Sequence, residues 1–150
     1  MTRYELWKFL HVISAMVWVG GAVLFQILAT RAAGTPDAGR IGQIAIWFGT
    51  RVFMPASIIV LAVGIVMVLD GPWEFQDVWI NVGMLGLIVA VIIGAGLITP
   101  TGRRIMQAMA ERGPQDPTTQ KLVRRQTILT RVNLVILVLM VFDMVVKPGT

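Results

Sequence analysis

The chain contains no cysteine and only one histidine, His11. The lack of cysteine excludes disulfides, thiol catalysis and iron–sulfur clusters held by this chain. Charged residues are also scarce, at 14% of the 150 residues, whereas soluble domains carry about a quarter. With 56% hydrophobic residues and a mean hydropathy of +0.77, the composition is typical of a membrane protein.

Four long apolar runs account for this composition, and each is close to the roughly 20 residues that a helix needs to cross a bilayer. They are Leu6–Leu28, Val52–Leu69, Val78–Thr99 and Ile128–Val146. The runs do not alternate in polarity as membrane-spanning strands do, so each is predicted to be a helix that satisfies its own backbone hydrogen bonds. The predicted fold is therefore all-α, a single four-transmembrane-helix bundle over residues 1–150.

The distribution of charge predicts how this bundle is oriented. Basic residues are concentrated in the two long connections, 29–51 and 100–127, whereas the connection 70–78 holds three acidic residues and no base. The positive-inside rule therefore places the long connections in the cytoplasm and both termini on the outer side of the membrane. The net charge of +5 reflects this topology, and the chain is predicted to contact the lipid bilayer and no nucleic acid.

Polar and aromatic residues form one stripe along the first predicted helix. Its members are Trp7, His11, Ser14, Trp18, Gly21 and Phe25. They recur at intervals of three or four residues, which places them on one helix face. Because the rest of the helix is aliphatic, the stripe is predicted to face the interior of the bundle.

His11 is a candidate ligand for haem b or copper. At 1.5 Å per residue it lies roughly 8 Å below the outer membrane boundary. The predicted topology places four methionines near that depth: Met67, Met84, Met140 and Met144. Imidazole and thioether groups are ligands of haem iron and Cu(I), so these residues form a candidate metal site.

Other interpretations of the same residues stay open. His11 is also explained by a hydrogen bond to a neighbouring backbone or serine, and the methionines by packing. Asp143 lies at the same predicted depth and is a candidate partner for the second ring nitrogen of His11. An ion pair between Asp143 and Lys147, four residues apart, is the alternative for that carboxylate.

Two further patterns concern packing and the lipid-facing surface. Gly86, Ala90 and Gly94 form a small-residue stripe that predicts close packing of the third helix, either within the chain or in a homo-oligomer or membrane-protein partner. The run "LVILVLMVF" in the fourth helix lacks small residues and is predicted to face lipid.

A second polar set lies at the predicted inner ends of the helices. It comprises Gln26, Arg31, Arg51, Ser57, Thr99, Arg131 and Asn133. The bases are predicted to anchor lipid phosphates, with a site for an anionic ligand such as a haem propionate as the alternative. No Walker loop, HExxH motif or nucleophile–base pair occurs, so no catalytic residue is predicted.

The segments "LWKFLHVISAMVWVGGAVLF", "MPASIIVLAVGIVMVL" and "TPTGRR" resemble a bacterial family of small predicted integral membrane proteins, domain of unknown function 2269. The resemblance implies a four-span protein of a bacterial inner membrane and carries no assigned activity. In such a membrane, the orientation predicted from the charges places the termini in the periplasm. His11, Trp18 and Gly21 are also similar to the first helix of HemJ-type protoporphyrinogen oxidases and CopD-type copper-resistance proteins. That similarity implies a haem or copper site formed by these three residues.

Three functions are consistent with these patterns. The preferred hypothesis is an accessory or structural membrane module that is not an enzyme and has no assignable activity. The alternative is a redox or metal-handling protein that binds haem or copper through His11. The third is a small transporter whose pore follows the stripe on the first helix.

Overall fold

The computed structural model describes residues 2–148 and consists of four long helices. They are α1 (Arg3–Ala32), α2 (Ala38–Asp70), α3 (Val78–Arg112) and α4 (Pro117–Val146). All four are apolar and long enough to cross a membrane, and each contains one of the apolar runs. Residues 2–148 form no strand. The prediction of an all-helical, four-span protein is thus confirmed, while the side of the membrane on which the termini lie stays a prediction.

Local sequence signals define where the helices begin and end. A capping box starts α1, in which the Thr2 hydroxyl accepts the Glu5 N–H and the Glu5 carboxylate accepts the Thr2 N–H. The Asp116 carboxylate caps α4 by accepting the N–H groups of Thr118 and Thr119 at 2.9 and 3.3 Å. The helix α3 ends at Arg112, and the next residue is Gly113, whose φ of +84° suits glycine.

Two of the helices contain a wide π-helical turn, at Gly49–Phe53 in α2 and at Ile92–Ile98 in α3. A proline follows each turn after one intervening residue: Pro55 in α2 and Pro100 in α3. A proline inside a helix lacks an N–H, and its ring clashes with the carbonyl four residues earlier. Widening the preceding turn relieves this clash, so the two prolines explain the positions of the π turns.

We name the two halves of the bundle by what lies at each end. The terminal half carries both termini and the 70–78 connection, and the connection half carries the connections 33–37 and 113–116. The π turn of α2 lies in the half of that helix nearer the connection 33–37, and the π turn of α3 spans the middle of its helix.

All four helices contribute to the core. Trp18 of α1 packs with Ala56 and Val60 of α2 and with Leu137 of α4, which is only 1% exposed. The other members of the α1 stripe are partly buried, whereas Phe9 and Met16 on the opposite face are exposed. The prediction that the stripe faces the interior is therefore confirmed.

The small-residue stripe of α3 packs against α4 of the same chain. Ala90 is completely buried, and a Cβ on Gly86 would lie 2.8 Å from Met140 Cγ. Gly86 and Ala90 are therefore used in packing within the chain, and a homo-oligomer or membrane-protein partner at the stripe stays a prediction. The outer side of α4 is apolar and exposed, as Val138 and Phe142 show, which agrees with the prediction for that face.

Polar side chains join α1 to α2 at the terminal end. The Arg3 guanidinium donates to both carboxylate oxygens of Asp70, at 2.7 and 3.1 Å, and the Trp7 indole N–H donates to the same carboxylate at 3.2 Å. Beside them, the Trp73 indole N–H donates to the Tyr4 hydroxyl at 3.2 Å. These bonds hold the start of α1 against the end of α2.

Candidate functional site

A cavity of about 300 Å³ lies in the connection half, and all four helices contribute to its wall. It includes residues of both π turns, such as Gly49 and Gly94. Each widened turn draws backbone out of the regular helical packing, and single π turns occur frequently at functional sites. The π turns that precede the two prolines thus form part of the cavity wall.

Small residues keep this space open. Gly42 and Ala45 line the cavity from α2, and Gly94 and Ala95 line it from α3. A Cβ placed on Gly94 would meet no other atom within 4 Å. Gly94 belongs to the predicted packing stripe, but it opens onto the cavity. The other two members of the stripe are packed: Gly86 contacts Met140 of α4, and Ala90 lies in the core.

Aromatic rings form one side of the cavity. Trp18 and Phe25 of α1 face it together with Phe53 of α2. The rings of Phe25 and Phe53 meet edge to face, with centroids 5.9 Å apart. The ring of Phe53 packs over Gly21, where a Cβ would overlap it. The candidate residues Trp18 and Gly21 therefore help to shape an apolar cavity, one by lining it and the other by making room for Phe53.

Two carboxamides of α4 line the same cavity, from Gln126 and Asn133. Asn133 is 8% exposed, and its Oδ1 atom is buried without a hydrogen-bond partner among residues 2–148. The Oε1 atom of Gln126 is also buried without a hydrogen-bond partner among residues 2–148. A buried polar atom without a partner is unfavourable, so such atoms in a cavity wall indicate a place where a bound molecule supplies the missing bond.

The hydroxyl groups around the cavity already donate their protons to backbone carbonyls. Ser57 donates to Met54 at 2.8 Å, and Thr99 donates to Gly94 at 3.0 Å. Thr130, between the two carboxamides, donates to the Gln126 carbonyl at 3.0 Å. What these hydroxyls can still offer to the cavity is acceptor capacity.

The polar set predicted at the inner helix ends is divided by the structure. Ser57, Thr99 and Asn133 line the cavity, whereas Arg51 and Arg131 are exposed and do not. Every residue that lines the cavity in the described chain is uncharged, so the cavity does not match the anionic-ligand alternative. Sequence reasoning missed Gln126, although its spacing of seven residues from Asn133 places both on one face of α4.

His11 lies in the terminal half, where it packs against α2. A Cβ on Gly64 would be 3.2 Å from the ring carbon Cε1 and 3.5 Å from Nδ1. The backbone of Val60 lies beside the ring, but outside hydrogen-bonding geometry, and Nδ1 is buried without a partner among the described residues. Since α2 covers the Nδ1 edge, a haem iron or copper ion could reach this ring only at Nε2.

The predicted sulfur ligands are distributed over different helix contacts. Met140 and Met144 of α4 pack against α3, at Gly86 and Gly83. Met67 lies on α2, about one turn beyond the contact with His11, and Met84 lies on α3. Within residues 2–148 there is no group of three or more histidine, aspartate or glutamate side chains that could hold a metal. These contacts give no support to a haem or copper site built on His11.

Asp143 is buried at the contact of α4 with α3. Its Oδ2 atom lies near Gly83 and has no hydrogen-bond partner in the described chain, so it is not bonded to Nδ1 of His11. The Lys147 ammonium lies 3.8 Å from the centre of the Trp73 ring and 5.3 Å from that of Trp79. Lysine and tryptophan thus meet at the terminal end, as interfacial residues commonly do.

Four apolar helices that enclose a cavity define an integral membrane protein of the all-helical class. The chain belongs to the family described as predicted integral membrane protein, domain of unknown function 2269 (DUF2269), which matches residues 5–148. This confirms the family that the sequence resembles, and the description of that family assigns no activity. No curated protein and no solved structure matches the chain. The similarity to HemJ-type and CopD-type proteins stays a prediction.

Proposed function

We propose that this protein is a membrane-embedded binding protein that holds a small lipid-soluble molecule in the cavity of the connection half. The observation that carries the proposal is Asn133, whose buried carboxamide oxygen lies in the cavity wall without a partner among residues 2–148. A volume of about 300 Å³ is at the lower end of the range for ligand pockets, about 300–1,000 Å³. An apolar wall with a few polar groups is also the usual composition of such pockets.

Binding, rather than catalysis, is the role that the cavity chemistry supports. Its hydroxyls from Ser57, Thr99 and Thr130 are engaged with backbone carbonyls, and carboxamides are neither acids nor bases at neutral pH. This role agrees with the accessory module that the sequence predicts. A protein of this kind stores, presents or senses a molecule within the bilayer.

The experiment compares two glycine-to-leucine variants of α3. Gly94→Leu fills the cavity, because Gly94 lines it and has free space beside it. Gly96→Leu is the matched control, because Gly96 is exposed, does not line the cavity, and would also meet no atom within 4 Å if it carried a Cβ. Wild type and both variants are purified in mild detergent, extracted with organic solvent and compared by mass spectrometry. Circular dichroism checks that each is folded.

We expect a small molecule to copurify in nearly stoichiometric amount with wild type and Gly96→Leu, and to be depleted at least about 10-fold in Gly94→Leu. Leucine at position 94 would occupy the volume that the ligand needs. Identical extracts from all three folded proteins would overturn the proposal.

We also propose that the protein lies in a bacterial inner membrane with the connection half toward the cytoplasm. The exposed bases at that end, which include Arg103, Arg104 and Arg125, support this orientation. Because the chain has no cysteine, single cysteines give an unambiguous test. Gln76→Cys in the acidic connection should react with a membrane-impermeant maleimide in spheroplasts, whereas Gln115→Cys should react only after lysis. The reverse pattern would invert the topology.

A further inference from the structure

We infer that the ligand of the cavity is an uncharged molecule that carries a hydroxyl group, and that this hydroxyl binds the Asn133 carboxamide. The inference rests on the proposed function, because it names the class of molecule that the same cavity takes. It adds two properties to the lipid-soluble ligand proposed above: the ligand has no charge, and it carries a hydrogen-bond donor. A separate feature of the cavity wall supports each property.

The charge of the ligand follows from the charge of the wall. The described residues that line the cavity include no acid and no base, and the nearby arginines Arg51 and Arg131 are exposed outside it. An ion that enters an apolar site without a counter-charge loses much of its hydration without compensation. An anionic carboxylate or phosphate is therefore disfavoured, and a cation has no carboxylate to meet. A neutral molecule avoids both penalties.

The donor on the ligand follows from the hydrogen bonds of the wall. Oδ1 of Asn133 and Oε1 of Gln126 are acceptors without donors among residues 2–148. The hydroxyls of Ser57 and Thr130 donate hydrogen bonds to backbone carbonyls, so only their lone pairs can bind a ligand. A ligand with acceptors alone, such as an ether or a ketone, leaves the two carboxamide oxygens unpaired. A hydroxyl also serves if a carboxamide turns over, because it accepts from NH₂ as well as it donates to oxygen.

Of the two carboxamides, Asn133 is the better anchor. The two residues are seven positions apart on α4, a rise of about 10 Å, so one hydroxyl binds only one of them. Asn133 is buried, whereas Gln126 is only partly buried and lies nearer the connection end. A hydrogen bond to the better-buried group discriminates more strongly, because water does not replace it.

The experiment uses three para-substituted benzenes of similar size: 4-butylphenol, its methyl ether 4-butylanisole, and 4-butylbenzoate. Their binding is measured by isothermal titration to the full-length protein in one fixed detergent, with wild type, Asn133→Leu and Gln26→Leu. Gln26→Leu is the matched control, because this carboxamide lies on α1 outside the cavity and bonds Thr30. Gly94→Leu reports binding outside the cavity.

In wild type and Gln26→Leu we expect the phenol to bind about 10-fold more tightly than the ether, and the benzoate to bind more weakly than both. Asn133→Leu should abolish the preference for the phenol over the ether. Equal binding of the phenol and the ether to wild type, with loss of both in Gly94→Leu, would overturn the hydroxyl inference and leave the proposed function standing. Identical titrations of wild type and Gly94→Leu would overturn the proposed function itself. The comparison of probes on wild type decides the inference even if Asn133→Leu does not fold.

Discussion

The terminal half and the connection half of the bundle are built from the same four helices in opposite ways. In the terminal half, side chains fill the helix contacts: Arg3 and Trp7 bond to Asp70, His11 packs on Gly64, and Met140 fills the groove at Gly86. In the connection half, the same helices surround a cavity with unpaired carboxamide oxygens in its described wall. Side chains of other helices pack on Gly64 and Gly86 in the terminal half, whereas Gly94 in the cavity wall leaves space beside it.

The difference shows that small residues alone do not determine whether two helices close together. Gly86 and Gly94 belong to one stripe on α3, eight residues apart. Gly86 receives Met140, whereas the space beside Gly94 stays open, and Gly94 itself belongs to the π turn that precedes Pro100. The connection half differs from the terminal half in two ways: its helices widen before a proline, and no long side chain of another helix fills the space beside Gly94.

The largest expected change in stability comes from Gly71→Ala, in the terminal half. A Cβ at this position would lie 2.6 Å from the Met67 carbonyl oxygen and 2.9 Å from the Tyr4 ring, so backbone must move. We expect a loss of about 1–3 kcal/mol in the free energy of unfolding, measured from thermal melting in detergent. Gly20→Ala, with nothing within 4 Å, is the control and should melt at or slightly above wild type, because alanine favours the helix more than glycine does. Equal melting of both variants would show that the terminal end is not tightly closed.

His11→Ala tests whether His11 has only a packing role in the terminal half. Removing the ring from Gly64 leaves a void between α1 and α2, and we expect a loss of about 1–2 kcal/mol with no change in the ultraviolet–visible spectrum. Spectra of oxidised and reduced protein are recorded with metal analysis, after expression with added haem or copper. A Soret band or bound copper that the variant loses would establish His11 as a ligand and move the functional site to the terminal half.

Asn133→Leu, in the connection half, should raise the stability of the protein rather than lower it. Leucine removes the unpaired carboxamide oxygen, so we expect the ligand-free protein to gain about 1 kcal/mol of stability. Melting temperatures are compared after the extracted ligand has been removed. Ser57→Ala is the contrast, since its hydroxyl is satisfied by the Met54 carbonyl. A clear loss of stability in Asn133→Leu would mean that Asn133 has a structural partner.

Asp70→Asn should have the smallest effect, although it breaks the most visible polar contact. Arg3 is 75% exposed on its side chain, and ion pairs in contact with water contribute at most about 1 kcal/mol. We expect a change of that size, reduced further in high salt because salt screens exposed charges. A loss comparable to that of Gly71→Ala would show that this pair, rather than apolar packing, holds the terminal end together.

Much of the fold was predictable, because hydrophobic length and helical period depend on local sequence. The four apolar runs became four helices, and the stripe that contains Trp18 faces the core. The site was predictable only in part. The sequence pointed to Trp18 and Asn133 for other reasons. Gln126 was not predicted, although it shares a face of α4 with Asn133, because periodicity does not show whether a buried face meets a side chain or a cavity.

The sequence by itself determined an all-helical, four-span membrane protein, since a bilayer accepts few other arrangements of such apolar runs. It also determined where the helices widen, because Pro55 and Pro100 disturb the turn before them wherever the chain folds. Only the tertiary structure decided that both wide turns face one cavity and that His11 packs on Gly64. Those outcomes depend on which side chain of one helix meets which gap in another, and no single segment contains that information.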